Sequence, residues 1–149
     1  MALCLAVLPL PLAAQTVSLN QVRSLRCETR GSVTTTWDRG VPAARVSASP
    51  SLAPLVFVAI DREAGRARLI GNAGEADVTV VVGDNGLQFV ERTGSGNMMV
   101  TTVYRAANTA LPHGRFAFVH SRDFALVAPS ADRLTLAPSM HMGFCTTLE

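Results

Sequence analysis

Apolar and polar residues alternate with a period of two along most of the chain, as in "DVTVVV" (77–82), "LQFVER" (87–92) and "RFAFVH" (115–120). Such alternation sends successive side chains to opposite faces of an extended strand, and β-branched residues favour that conformation. It predicts strands at residues 32–37, 43–47, 55–61, 66–70, 77–82, 87–92, 98–105, 115–120, 124–128, 133–137 and 140–145. Only residues 16–25 carry a weak stripe at helical spacing, so the chain reads as all-β.

The connections carry turn chemistry. Asp84-Asn85-Gly86 and Thr93-Gly94-Ser95-Gly96-Asn97 supply residues that tolerate positive φ and make residues 77–105 a three-stranded meander. "REAG" (62–65) and "PSAD" (129–132) are two further hairpin turns. Short strands joined by local turns close most simply into an antiparallel up-and-down barrel, with a two-sheet sandwich as the alternative. The Pro- and Ser-rich stretch 47–54 reads as a loop, because the roughly forty residues before it are too few to stand as a domain. Together with the long connection 106–114 it is expected to form the rim of a barrel mouth.

Composition then adds a compartment. Residues 1–14, "MALCLAVLPLPLAA", form an apolar run ending in small residues, the pattern of a signal peptide, and too short for a bilayer span of roughly 20 residues. No Arg or Lys precedes the run, so its positive charge is the α-amino group or lies upstream of Met1. Cleavage after Ala14 leaves one domain at residues 15–149 and removes Cys4, so the mature chain holds Cys27 and Cys145. An even pair in an exported protein reads as a disulfide. Tying the chain's two ends, it would close a loop of roughly 120 residues and contribute about 4–5 kcal/mol on the chain-entropy account. There is no lysine, and the 13 arginines and 11 acids are spread without a basic patch, which argues against nucleic acid as a partner. The expected location is periplasmic or secreted, without a stable membrane span, and the expected state is a monomer.

Strand geometry also tests each cluster of reactive residues. "MHMGFC" (140–145) holds two thioethers, an imidazole and a thiol, the ligand types that copper(I) favours. Alternation sets Met140, Met142 and Phe144 on one face and His141, Gly143 and Cys145 on the other. The Met–Phe face reads as the one that seals the core, leaving His141 toward solvent. "HSRD" (120–123) has the residue types of a hydrolase triad, yet adjacent strand residues point apart and cannot converge. Phe116, Phe118 and His120 share a face, with His120 at the strand end where its ring meets solvent or backbone. His113, His120 and His141 lack zinc-ligand spacing. Glu91 shares a face with Leu87 and Phe89; turned inward it would be buried or line a cavity and need a partner such as arginine, and at the strand end it would reach solvent. Glu91 and His120 are therefore the candidate cavity or buried polar residues, and no catalytic, metal or cofactor residue is assigned.

The run "GLQFVERTGSGNMMVTTVY", followed by "RFAFVHSR" and a terminal "GFC", resembles small exported bacterial β-proteins of unknown function. The early cysteine in "LRCETRG" and the architecture are similar to those of periplasmic inhibitors of C-type lysozymes, small antiparallel barrels with an N-to-C-terminal disulfide. The inhibitors' Ser-Gly-x-x-Tyr loop signature, which supplies their enzyme-binding residues, is absent: Ser95-Gly96 is followed by Asn97-Met98-Met99. With no converging catalytic set, the chain is expected to act by binding and not as an enzyme. The first expectation is carriage or sensing of a small apolar ligand in a barrel cavity. The alternatives are a protein-binding module of the lysozyme-inhibitor kind and a structural envelope protein.

Overall fold

A computed structural model describes residues 18–38, 41–48, 52–72, 74–94, 96–105, 111, 114–123, 125–127 and 134–148. The expected signal segment, the turn at 129–132, His113 and most of the 106–114 connection lie outside the described residues. Among the described residues the chain forms a 3-10 turn at Leu19–Gln21 and eleven strands. These are β1 (Leu25–Asp38), β2 (Val41–Ser47), β3 (Leu55–Asp61), β4 (Arg66–Gly71), β5 (Gly74–Gly83) and β6 (Gly86–Arg92), followed by β7 (Met98–Tyr104), β8 (Arg115–Asp123), β9 (Ala125–Val127), β10 (Leu134–Leu136) and β11 (Ser139–Thr147). The strand at β1 starts well before its expected position, because its outward residues Arg26, Glu28 and Arg30 are charged and hide the apolar inward ones.

Eight strands, in the order β1, β3, β4, β5, β6, β7, β8, β11, are antiparallel neighbours, and β11 pairs back onto β1 to close a barrel. Closure leaves no free edge among these eight, which settles barrel against sandwich. β3 pairs only the start of β1, from Leu25 to Cys27, and β2 pairs its outer half, from Ser32 to Asp38. The β1–β2 ribbon thus stands beyond one end of the barrel, here called the upper end. The β9–β10 hairpin, inserted between β8 and β11, leaves from the same end.

Alternation fills the lower half. Leu25, Phe57, Leu87, Phe89, Val103, Phe116 and Phe118 are all buried on the inward face, and the Phe57 and Phe89 rings stack at 4.0 Å across the interior. The lower end is plugged by Leu19 and Val22, whose carbonyls accept from Arg62 Nη1 at 3.3 and 3.0 Å, while Ile60 N–H donates to the Arg23 carbonyl at 3.0 Å. Asp61 receives the Ala64 N–H at 2.9 Å and so closes the 62–65 turn; that bond holds its carboxyl below the usual value.

Cys27 and Cys145 lie directly opposite each other on β1 and β11, both fully buried, and are joined by the expected disulfide. Two positions below the His141 level, Gly143 lies under the Phe118 ring: a Cβ there would come within 2.0 Å of the Glu28 carbonyl oxygen and 2.9 Å of the Phe118 ring. Two bulges re-aim the strands. One at Arg30 returns Ser32 to the interior, and one around Ala59, at φ 51°, does the same for Ile60.

Two expectations are corrected here. The alternation in "MHMGFC" is right but its faces are reversed: Met140 and Met142 are 45% and 36% exposed, whereas His141, Gly143 and Cys145 point inward. The disulfide imposes this parity, for once Cys145 is in the core every second residue of β11 must be. The two expected rim loops also part company. Residues 52–54 lead into β3 at the upper end, but β7 ends and β8 begins at the lower end, where Arg105 N–H bonds the Asn85 carbonyl at 2.9 Å.

Candidate functional site

Register arranges the inward side chains of the upper half in tiers. One tier runs Ser32, His141, His120, Thr101 across β1, β11, β8 and β7, each residue directly opposite the next. All four are buried, so the apolar filling of the lower half gives way to a polar layer. The tier above it runs Ser139, Arg122, Met99, Glu91 across β11, β8, β7 and β6.

Over these tiers opens a cavity of about 260 Å³. One wall is apolar, with Leu55 and Leu69 on β3 and β4 and Leu52 just before β3. The other is polar, with Glu91, His120 and Arg122 beside Met99. Glu75, also at the rim, is ion-paired with Arg68. His120 is only 3% exposed and its Nδ1 is hydrogen-bonded to Thr101 Oγ1 at 2.8 Å, which leaves Nε2 for other partners. The His141 ring lies 6.0 Å from it, 8% exposed, and neither of its nitrogens bonds a protein group. The nearby Thr29 hydroxyl is likewise buried without a protein partner.

Burial first, then the neighbouring His141 and Arg122, push His120 down to about 4 from its ordinary value. Burial and then Arg122 lower His141 as well. Both imidazoles are therefore neutral at pH 7. Each ring then offers one donor and one acceptor, a set suited to hydrogen bonding. Among the described residues no three His, Cys, Asp or Glu side chains gather as a metal site.

His120 is thus not at a strand end, as expected from the sequence. β8 continues to Asp123, and the ring sits in the interior, bonded to a side chain and not to backbone. Glu91 faces inward with Leu87 and Phe89, is half-buried, and lines the cavity. His141, Thr101, Ser32, Met99 and Arg122 were not singled out for this place. The missed signal was the disulfide: a buried Cys145 puts His141 inside by parity, next to any histidine in register on the adjacent strand.

A second hollow, of about 400 Å³, lies outside the barrel at the upper end, between Trp37 of the ribbon, Asn97 and Met98, and Leu136 and Pro138. Trp37 is 51% exposed there. Searches against protein-family models, curated proteins and solved structures found no match for this chain.

Proposed function

We propose that the protein is an exported binding protein that holds a small ligand in the open upper half of its barrel. The observation that carries this reading is the change of filling along the barrel axis. Below, the inward side chains are aromatic and aliphatic and fully buried; above, a cavity of about 260 Å³ opens between an apolar and a polar wall. Its volume is just under the usual range for small-molecule sites, which suits a small amphipathic molecule better than a wholly apolar one. Export is supported by the signal-like residues 1–14 and by a disulfide that persists in oxidising compartments.

The test is binding of an apolar fluorescent dye to the mature protein, followed by its displacement. One-to-one binding is expected, and Ala76→Phe, which places a ring in the cavity, should abolish it without unfolding the protein. Failure of the unaltered protein to bind any dye would contradict the reading.

A second reading, a protein-binding module, draws on the ribbon. Trp37 is half-exposed in the outer hollow lined by Met98, Leu136 and Pro138, and Val41 and Val46 of the same ribbon are exposed as well. Trp37→Ala should leave dye binding intact, so the two readings separate cleanly.

A further inference from the structure

We propose that the two buried imidazoles of the upper tier, His120 and His141, form a binding site for copper(I), held between the two rings. Register makes the site, because β8 and β11 set these residues directly opposite each other and both side chains are buried. The ring centroids are 6.0 Å apart and the planes are inclined by 42°. One ion with a metal–nitrogen bond of about 2 Å on each side spans such a gap. His141 is 8% exposed, and neither of its nitrogens has a protein partner. A buried polar group left unpaired is destabilising, and an ion between the rings supplies the missing partner. His120 is prepared by a different route: its Nδ1 is hydrogen-bonded to the Thr101 hydroxyl at 2.8 Å. With Nδ1–H donating there, Nε2 carries the free lone pair, and the ring is anchored through its second nitrogen as metal-binding histidines are.

The donor set selects the ion. Zinc takes three or four protein ligands, and among the described residues no further His, Cys, Asp or Glu joins these two. Both described cysteines are committed to their disulfide. Copper(I) needs only two or three soft ligands, and its single charge asks less of a buried site than a divalent ion would. Met99 offers a third soft donor, since it lines the cavity wall with His120 and stands one tier above Thr101 on β7. That tier carries one charge of each sign, Glu91 and Arg122. The cavity is also the way in, because His120 is part of its wall. The stretch "MHMGFC" thus contributes its imidazole and not its thioethers, for Met140 and Met142 face outward.

Anaerobic titration of the mature, disulfide-intact protein with copper(I), in competition with a chromophoric chelator such as bicinchoninate, tests this at pH 7. One equivalent should be taken up, and the ring protons of both histidines should shift together in the NMR spectrum as it binds. His141→Leu and His120→Leu should each weaken uptake by about a hundredfold or more, and Thr101→Val, which removes only the anchor of His120, by about tenfold or more. Circular dichroism of each variant shows whether a loss reflects the site or the fold. Replacing Met140 and Met142 together by leucine should leave uptake unchanged. No uptake would overturn the site and leave an ordered water as the partner of His141. Uptake that survives in the His141→Leu variant, or that is lost with Met140 and Met142, would overturn it in favour of the outer surface. Zinc bound as tightly as copper(I) would overturn the choice of ion.

Discussion

The two halves of this barrel are built from the same strands and the same alternation, yet they solve different problems. In the lower half the inward residues are Leu25, Phe57, Leu87, Val103, Phe116 and Phe118, stapled by Cys27–Cys145 and plugged by Leu19 and Val22. A few residues further along the same strands, the inward positions are Ser32, Thr101, His120, His141 and Arg122. Burial of apolar surface stabilises the first set, whereas the second gives up hydration for polar contacts such as the Thr101–His120 hydrogen bond. The lower half carries the stability, and the upper half is where stability has been given up for polar chemistry.

The comparison breaks if the lower half proves dispensable. Replacing Cys27 and Cys145 together by serine should cost about 4–5 kcal/mol, read from denaturant unfolding. A loss below about 1 kcal/mol would mean the staple is incidental to the fold. The upper half should show itself through acid. His120 binds its proton more weakly folded than unfolded, so the unfolded chain is favoured by protonation. Stability present above pH 6.5 should therefore fall as pH drops toward 4, by about 3 kcal/mol from this residue. His141 adds in the same direction. Unfolding free energies measured between pH 7 and 4 should show a shallower slope for His120→Leu than for the unaltered protein; parallel slopes would place the ring in solvent.

Gly143 marks the boundary between the halves. Gly143→Ala drives a Cβ into the Glu28 carbonyl and the Phe118 ring and should cost on the order of 1–3 kcal/mol, since backbone must shift. A neutral outcome would mean that Phe118 is not held where the lower half needs it. The smallest effect sharpens the contrast most. His141→Leu removes two buried nitrogens that have no protein partner and should leave stability unchanged or raise it by up to about 1 kcal/mol. A large loss would show that the upper tier is structural after all.

The sequence alone reveals most of the lower half. Alternation in "LQFVER" and "RFAFVH" marks the strands, and Asp84-Asn85-Gly86 and the Gly-rich 93–97 stretch mark the turns between them. The upper tier was far less legible, because its members come from four strands and meet only through register. No local pattern ties Thr101 to His120 or His120 to His141. Exposure of Met140 and Met142 misled for a related reason: hydrophobicity suggested the inward face, but the Cys27–Cys145 bond decides parity on β11. The bulge at Arg30, which brings Ser32 inside, depends on pairing with β11 and carries no signature of its own.

Whether the upper half holds a ligand is read most directly by NMR of the methyl and imidazole groups during titration with the apolar dye. Saturable shifts are expected at the cavity-lining Leu52, Leu55, Leu69, Met99 and His120, with Leu87 and Val103 of the filled half unmoved. Shifts at Met98 and Leu136 of the outer hollow instead, or none at any dye concentration, would contradict a ligand site there.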